Sequence, residues 1–353
     1  MQLYICSTLR HLLFSISKSI VDNEASQIIF LVDHQNIDSS NLNFSELPNH
    51  IKVHSVSRKK IAQNIKSDFM GKIIYFFSMR EMRINNYMKE KLTAKLVSSI
   101  NGLDIDAVEE LYTFNERNKT ARLFRLLFEE YRIIEDGLAN YAKLPLPFLK
   151  MIGNIVQGNL SNKRISGDDS NCLYIYAIQP QKLPKEIKNK GKDIYFLNNK
   201  SVFTTIETVF NLESLPSTYV ILATQPIIGY LERLSIPTDF HMEIYKQIIA
   251  FYSKKNINVI VKPHPQESKE SYDILSEHSR VISEQTPLEA YLIGKNKDIT
   301  IVSLFSSAGM GFEEYCTRKT LIDDDEVKHI NERLKLWHSS SDALDSIIID
   351  KLS

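Results

Sequence analysis

Short apolar runs, rich in β-branched and aromatic residues, alternate with longer segments of helical periodicity along most of the chain. The short runs are almost continuously apolar, which is typical of strands buried on both faces of a parallel sheet. The pattern predicts strands at 3–6, 28–32, 72–77, 110–114 and 132–134 in the first half of the chain. It predicts further strands at 172–177, 193–197, 219–223, 258–262, 299–303 and 320–322 in the second half.

Between these runs, apolar residues recur at helical spacing at 121–130, at 242–254 and at roughly 340–352. The polar segment 160–171 is rich in Ser, Asn and Asp and is interpreted as a linker. Alternation of strands and helices is typical of α/β folds with parallel sheets. We therefore predict two Rossmann-like domains, 1–160 and 161–353, with sheets facing across a cleft and the last helix packing back onto the N-terminal domain.

The composition is that of a globular protein and limits its partners. The 353 residues include 43 Lys and Arg and 43 Asp and Glu, so no basic surface for nucleic acid is expected. The three cysteines, Cys6, Cys172 and Cys316, are far apart in apolar runs and are interpreted as reduced core thiols. No signal peptide and no spanning segment are recognised, so a cytoplasmic location is expected, with peripheral contact at the inner face of the membrane as an option.

Two carboxylates and a glycine, Glu135, Asp136 and Gly137, follow the predicted strand 132–134. Ligands of open parallel sheets bind beyond the carboxyl ends of the strands, where these side chains lie. Side chains of adjacent extended residues point to opposite sides, so one carboxylate could face a cleft as a general base. The alternative is a solvated turn, because Asp-Gly is a common turn dipeptide.

A histidine between two prolines, Pro263-His264-Pro265, follows the predicted strand 258–262. The fixed φ angles of the prolines stiffen the loop, which suits a catalytic imidazole that donates a proton to a leaving phosphate. Lys262 adds positive charge beside it. A structural histidine is the alternative.

Ser306 and Ser307 follow the predicted strand 299–303, and a helix is expected to begin near Ala308. Backbone N–H groups at a helix start and serine hydroxyls together suit a phosphate, although simple N-capping explains the same residues. Glu289 follows Pro287 at another predicted helix start, where it could also accept hydrogen bonds from a ribose diol.

In order along the chain, Glu135-Asp136-Gly137, His264-Pro265 and Ser306-Ser307 resemble the motifs of bacterial sialyltransferases and polysialyltransferases of GT-B fold. The nearest resemblance is to glycosyltransferase family 52, with polysialyltransferase family 38 as the near rival. Residues 5–9 and the segment with Thr224 and Gln225 fit the first loop of each domain in such enzymes.

The resemblance implies direct transfer of sialic acid from CMP-sialic acid to a hydroxyl of a surface glycan, with inversion at the anomeric carbon. It assigns Glu135 as general base and His264 as acid to the CMP phosphate. It places Ser306 and Ser307 on the phosphate and Glu289 on the ribose, with Pro265, Lys262, Thr224 and Gln225 also on the donor side. Asp136 and Gly137 would support the base, and Thr8, Arg10, His11 and Asp33 are acceptor-side candidates.

The resemblance implies no metal, because the single phosphate of CMP can be managed by histidine and hydroxyl donors. The acidic groups Asp104, Asp106 and 323–325 are accordingly interpreted as solvated turns. Rival hypotheses are a glycosyltransferase that uses CMP-Kdo or a nucleotide-diphosphate sugar, a nucleotide-sugar epimerase, and a binding protein without catalysis. A homodimer is expected as the commonest oligomer.

Overall fold

The computed structural model describes residues 1–35, 37–137, 140–145, 163–293, 299–306, 308–323 and 325–353. The chain divides into two compact units, Met1–Val209 and Phe210–Ser353. Each unit contains its own parallel sheet, which confirms the predicted α/β class with two Rossmann-like domains.

The strands of the first unit are β1 (Gln2–Cys6), β2 (Ser26–Leu31), β3 (Ile51–Val56), β4 (Glu110–Thr113), β5 (Tyr131–Ile134), β6 (Leu144–Pro145), β7 (Lys163–Arg164), β8 (Cys172–Ala177) and β9 (Gly191–Asp193). Seven of them form a sheet of order β3-β2-β1-β4-β5-β8-β9, in which every neighbouring pair is parallel. A separate antiparallel pair is formed by β6 and β7. The described helices of this unit are α1 (Leu9–Asp22), α2 (Arg58–Ile65), α3 (Phe69–Arg80), α4 (Asn86–Ser99), α5 (Lys119–Arg125) and α6 (Lys200–Val209).

The strands of the second unit are β10 (Tyr219–Ala223), β11 (Asn258–Lys262), β12 (Arg280–Val281), β13 (Ile299–Ser303) and β14 (Cys316–Thr320). They form a parallel sheet of order β12-β11-β10-β13-β14. The described helices of this unit are α7 (Ile228–Arg233), α8 (Phe240–Ser253), α9 (Leu288–Leu292), α10 (Ile330–Ser339) and α11 (Ser341–Leu352).

The predicted domain boundary at residue 160 is wrong. Strands β8 and β9 pair with β5 and with each other in the first sheet, so the N-terminal unit continues to Val209. Residues 163–171 of the polar segment taken for a linker belong to that unit, because Lys163–Arg164 forms β7 and Asp169 accepts a hydrogen bond from Arg125 at 2.6 Å. Polar composition marks a surface loop, and it does not by itself distinguish a linker from an insertion.

The predicted strand at 72–77 is also wrong, because these residues lie in helix α3. Asp68 caps this helix by accepting a hydrogen bond from the backbone N–H of Gly71 at 2.6 Å. At Gly71 a Cβ atom would lie 1.7 Å from the carbonyl oxygen of Ile65, so only glycine allows α3 to pack this close to α2. Cap and close packing override the strand propensity of the Ile-Ile-Tyr-Phe-Phe run.

The last helix, α11, packs its buried face into the core of the second unit. Leu344, Ile348 and Leu352 belong to the core of the second unit, together with Trp337 of α10. Lys319 of β14 donates a hydrogen bond to the carbonyl oxygen of Leu352 at 3.0 Å, which fixes the end of the helix.

The three cysteines are buried and free, which confirms their interpretation as core thiols. Burial raises the pKa of Cys6 to about 12, although a hydrogen bond with Ser15 acts in the opposite direction. A thiol that remains protonated at neutral pH is a poor nucleophile. None of the described helices combines the length and apolar character that crossing a bilayer requires.

Candidate active site

Strand order defines a crevice at the carboxyl edge of each sheet. In the first sheet β1 and β4 are neighbours, and the chain leaves them in opposite directions along the sheet. In the second sheet β10 and β13 have the same relation. Ligands of open α/β sheets bind at such topological switch points. We therefore expect ligand-binding and catalytic residues in the loops that follow β1, β4 and β5 in the first sheet, and β10, β11 and β13 in the second.

Glu135 follows β5 and is buried, with only 3% of its surface exposed. Its Oε1 accepts a hydrogen bond from Nη2 of Arg10 at 3.1 Å. Its Oε2 accepts from the backbone N–H of Ile178 at 2.8 Å and from the hydroxyl of Tyr141. Three donors thus fix the carboxylate, and Arg10, whose side chain is 20% exposed, lies on it as the cationic partner.

Asp136, the second acid, forms a pair with His11 of helix α1. Its Oδ1 lies 2.5 Å from Nε2 of His11, and its Oδ2 accepts from the side-chain amide of Asn115 at 3.2 Å. The backbone N–H of Ser7 points at Nδ1 of His11 at 3.2 Å, which leaves the His11 proton on Nε2, facing the carboxylate. The His11 ring stacks on Phe114 with ring centroids 4.1 Å apart.

The His11–Asp136 pair joins the loops that follow β1, β4 and β5, and thus lies at the switch point of the first sheet. Burial alone would raise the pKa of Asp136, but the contact with His11, the charge of Arg10 and the Asn115 hydrogen bond outweigh it and lower that pKa. The Asp136 side chain remains 26% exposed, compared with 4% for Glu135. It lines a shallow cavity together with Asn115, Arg117 and Asn140.

Thr8 and Asp33 serve local structure in this edge. The hydroxyl of Thr8 caps α1 by accepting the backbone N–H of His11 at 3.2 Å. Asp33 accepts the backbone N–H groups of Arg58 and Lys59 at 2.9 and 3.1 Å and so caps α2. Partial burial raises the pKa of Asp33, but these hydrogen bonds and that from Ser57 lower it by more. Both side chains are at the predicted edge, and Asp33 also forms an ion pair with Arg58, whose Nε lies 3.7 Å from Oδ1.

His264 lies in the loop after β11 and is half-buried. Its backbone N–H donates to Oγ1 of Thr224 and to Oε2 of Glu267, both at 3.1 Å. Its ring Nδ1 accepts the backbone N–H of Gln266 at 3.2 Å, so the ring proton lies on Nε2. Burial lowers the pKa of the imidazole, Glu267 partly offsets this, and Lys262 adds to the lowering.

Lys262 is buried and stabilises this loop through hydrogen bonds to backbone carbonyl groups. It is 4% exposed, and its Nζ donates to the carbonyl oxygens of Pro263 at 2.8 Å and Glu284 at 3.2 Å. Burial lowers its pKa to about 8, although Glu284 and Glu289 act against this. The ammonium therefore shapes the turn that carries His264.

Thr224 and Gln225, after β10, tie the neighbouring loops together. Thr224 donates its hydroxyl proton to Glu267 at 2.5 Å and accepts from the His264 backbone. The side-chain oxygen of Gln225 accepts the backbone N–H of Phe305 at 2.9 Å, which links the loop after β10 to the loop after β13. Both residues are buried, so they position the switch-point loops of the second sheet.

The prediction of a helix that begins near Ala308 is wrong for the part of this loop that the structure describes. Residues 308–311 form turns, with positive φ at Gly309 and Gly311, and β14 follows. Ser306 is present at the predicted edge, but its Oγ accepts the backbone N–H of Ala308 at 3.0 Å, and its carbonyl accepts Nη2 of Arg318 at 2.9 Å. Any phosphate contact here would use loop hydroxyl and N–H groups without a helix. Ser307 lies outside the described residues.

Glu289 lies in the first turn of the short helix α9, two residues after the N-cap Pro287, as the sequence predicted. Pro265 follows His264 in a partly exposed loop position, and Gly137 has a φ of 137°, which confirms the need for glycine after the acidic pair. Among the described residues, no three His, Cys, Asp or Glu side chains are grouped so as to hold a metal ion.

Sequence comparison adds a family to this geometry. The family model described as alpha-2,8-polysialyltransferase matches residues 2–322. The chain belongs to the alpha-2,8-polysialyltransferase family. This membership makes the protein a sialyltransferase-like glycosyltransferase, which acts with a nucleotide-sugar donor and a glycan acceptor. No curated protein matches the sequence.

Solved structures that this family member resembles have low sequence identity to it. An alpha/beta-galactoside alpha-2,3-sialyltransferase from Photobacterium phosphoreum matches with a TM-score of 0.48 and 11% identity, over 99% of this chain and 94% of that one. A glycosyltransferase of kitacinnamycin matches with a TM-score of 0.42 and 9% identity, over 98% and 94%. The UDP-GlcNAc 2-epimerase from Neisseria meningitidis matches with a TM-score of 0.38 and 11% identity, over 99% and 94%.

Several residues that organise these edges in the polysialyltransferase family member were not singled out from the sequence. Glu267 accepts from Thr224, from the His264 backbone and from the Tyr272 hydroxyl at 2.6 Å, and so holds the His264 loop. Its place three residues after His264 was the available signal. Tyr141 and Asn115 gave none, because each reaches its carboxylate through the fold.

Proposed function

We propose that this protein transfers sialic acid from CMP-sialic acid to a hydroxyl of a surface glycan, as part of lipooligosaccharide, O-antigen or capsule synthesis. The observation that carries the proposal is the polysialyltransferase family match over residues 2–322. The acidic pair and the His-Pro turn at the carboxyl edges of the two sheets support it. Transfer to a terminal sialic acid is the acceptor chemistry that the family description favours.

On the donor side, we propose that His264 protonates the departing CMP phosphate. Gln266 holds Nδ1 through its backbone N–H, so Nε2 is the nitrogen that presents a proton. The pKa of His264 is lowered by burial in the free protein. A bound phosphate brings negative charge next to the ring and favours its protonated form. The acid is therefore charged by the same substrate that it acts on.

We assign the remaining donor contacts to the loops around His264. Glu289 would accept hydrogen bonds from the ribose hydroxyls, and Ser306 and Ser307 would contact the phosphate. Thr224, Gln225, Lys262 and Pro265 would shape the loop that presents His264. The first three of these four are buried, which suits a positioning role better than direct contact with the donor.

On the acceptor side, we propose Glu135 as the general base. Arg10, Tyr141 and the Ile178 N–H hold the carboxylate in place, and its burial excludes water that would compete with the acceptor hydroxyl. Oε1 has one described donor, Arg10, and so retains a lone pair for a hydroxyl. Asp136 and His11 would fix the loop beside it.

The proposed step is a direct displacement in which this chain's side chains accept and donate the protons, with no metal ion in the step. Glu135 accepts the proton of the acceptor hydroxyl while the oxygen forms a bond to the anomeric carbon of sialic acid. The bond from that carbon to the phosphate oxygen breaks on the opposite side, and the electron pair leaves with CMP. His264 donates a proton to that oxygen. The configuration at the anomeric carbon inverts.

Transfer from CMP-Kdo or from a nucleotide-diphosphate sugar is the alternative reaction, and epimerisation is a more distant one. Release of CMP from CMP-sialic acid that requires an added glycan, and that Glu135→Gln and His264→Ala both abolish, is the expected result. Tighter binding of UDP than of CMP in calorimetry would contradict the sialyl donor. Turnover of a nucleotide sugar without an acceptor would contradict transfer.

We propose action at the cytoplasmic face of the membrane, where CMP-sialic acid and a growing surface glycan would both be available, and a homodimeric state. Size-exclusion chromatography with light scattering tests the oligomer. Fractionation of cells that express the protein tests the location.

A further inference from the structure

Helix α3 carries an exposed stripe of alternating aromatic and basic side chains. The stripe consists of Phe69, Lys72, Phe76 and Arg80, whose spacing of three, four and four residues places them on one face of the helix. Phe69 is 78% exposed and Phe76 is 51% exposed. We call these four residues the α3 stripe.

The opposite face of α3 already accounts for the packing of the helix. Gly71, Ile74 and Ser78 are buried, and Ile74 belongs to the core of the first unit. The two phenylalanines of the stripe are therefore not needed for that core. A helix that is apolar on its inner face and again on part of its outer face has a surface suited to a second apolar environment.

The charge around the stripe differs from that of the chain as a whole. Residues 58–99, which contain α2, α3 and α4, include ten Lys and Arg and three Asp and Glu, whereas the whole chain has 43 of each class. Of these acids, Asp68 is paired with Lys95, and Glu81 is paired with Arg122 and Arg164. The segment that carries the two exposed phenylalanines therefore has an excess of positive charge.

We propose that the α3 stripe docks this protein on the surface of an anionic lipid bilayer. Phenylalanine side chains would enter the boundary between headgroups and acyl chains, while Lys72 and Arg80 would extend to the lipid phosphates. The guanidinium carbon of Arg80 lies over Phe76, 5.5 Å from the ring centroid, so cation and ring are already side by side. Met82, 45% exposed, and Arg83 continue the same composition directly after the helix.

A second copy of the chain is a poorer occupant of this surface. Two copies that met through the stripe would bring two regions of excess positive charge together, which is unfavourable. A protein partner would also have to bury Lys72 and Arg80 between the phenylalanines and supply a carboxylate for each. A bilayer accepts both side-chain types without such pairing, because the headgroup layer is polar and anionic.

The test is co-sedimentation of the full chain with vesicles of phosphatidylcholine and phosphatidylglycerol mixed at about 2:1. We expect binding that weakens at high salt and on vesicles of phosphatidylcholine alone. Phe69→Ser with Phe76→Ser should weaken binding by about ten-fold or more, through loss of apolar insertion. Lys72→Gln with Arg80→Gln should weaken it by roughly thirty-fold, through loss of two charges near the surface.

The matched control is Leu336→Ser with Ile349→Ser, which removes two exposed apolar side chains from α10 and α11 and should leave vesicle binding unchanged. Circular dichroism confirms that each variant is folded. Unchanged vesicle binding by the Phe69 and Phe76 variant would overturn the proposal. A dimer that this variant converts to a monomer, with vesicle binding retained, would assign the stripe to a second copy instead. Sedimentation needs neither donor nor acceptor, so its failure would leave the proposed transfer untouched.

Discussion

Replacing Glu135 by glutamine tests the acceptor side of the mechanism with little change in size. The amide cannot take a proton from the acceptor hydroxyl, so kcat should fall by about 10²–10⁴-fold, the usual contribution of a general base. The change also disturbs the contacts of the carboxylate. Oε2 accepts from Tyr141 and from Ile178, and Oε1 accepts from Arg10. The glutamine side chain has one oxygen where the carboxylate has two, so at least one of these donors loses its acceptor.

The lost acceptor should lower the free energy of unfolding by about 1–3 kcal/mol, the cost of leaving one buried donor without a partner. The assay is single-turnover release of CMP from CMP-sialic acid with saturating acceptor, together with thermal unfolding and calorimetry of CMP binding. CMP affinity should be unchanged, because His264 and its loop belong to the other unit. Thermal unfolding and CMP binding thus distinguish a loss of the base from a loss of activity that is caused by unfolding.

Asp136→Asn is the matched control. The introduced amide keeps an oxygen for His11, and the Asn115 amide can rotate to accept from the new side chain, so activity should stay within about ten-fold of the wild type. Asp136 is nevertheless the more exposed of the two acids. A loss of about 10²-fold or more in Asp136→Asn, with Glu135→Gln nearly active, would refute the assignment of the base and transfer it to Asp136.

Three further results are expected. The kcat/KM for the donor should fall as pH rises through a pKa below the ordinary histidine value, because burial lowers the pKa of His264 and the protonated ring is the acid. In the pH profile of kcat, which reports the donor-bound enzyme, this fall should lie at higher pH. His264→Asn should remove the fall from both profiles. Thr224→Val should raise the KM for the donor about ten-fold by releasing the His264 backbone and Glu267, whereas Thr224→Ser should restore it, as initial-rate kinetics would show. Gly309→Ala should lower the free energy of unfolding by about 1–3 kcal/mol, because φ at Gly309 is 73° and a Cβ atom would lie 2.5 Å from Cδ1 of Ile301. Gly229→Ala in α7 should not destabilise, because its Cβ atom would meet no atom within 4 Å. Urea unfolding that ranks the two variants in reverse would contradict this.

Buried parallel strands were the most predictable part of the fold. The predicted strands at 172–177, 219–223, 258–262 and 299–303 agree with the observed β8, β10, β11 and β13. Each is a short run of five or six residues that is mainly apolar, so local composition alone defines it. The predicted strands at 3–6, 28–32, 110–114 and 132–134 also coincide with β1, β2, β4 and β5 to within two residues. The run at 72–77 has strand propensity, yet Asp68 and Gly71 make it a helix.

Edge strands and the domain boundary were less predictable for the same reason. Strand β3 (Ile51–Val56) was missed because it is partly exposed at the edge of the sheet and has the mixed sequence Ile-Lys-Val-His-Ser-Val. Strand β9 has only three residues, and its observed range meets the predicted 193–197 at Asp193 alone. Pairing with β8, rather than composition, keeps β9 in the first unit.

In the candidate site, too, the positions of residues after strands were predictable from local sequence, whereas their contacts with distant residues were not. The sequence placed Glu135, Asp136 and His264 after strands, and the structure confirms those positions. It could not reveal that Arg10 lies on Glu135 or that His11 pairs with Asp136, because each contact joins residues 125 positions apart. Their catalytic roles remain predictions for the variants above.

The proposed reaction moves sialic acid from CMP-sialic acid to a glycan. The most direct measurement incubates the purified chain with CMP-sialic acid and either galactose-terminated or sialylated acceptors, and follows CMP release and the mass of the glycan. We expect CMP release only with an acceptor, together with a glycan mass increase of one or more sialic acid residues. Release of CMP without a glycan product, or transfer from a UDP-sugar but not from CMP-sialic acid, would contradict it.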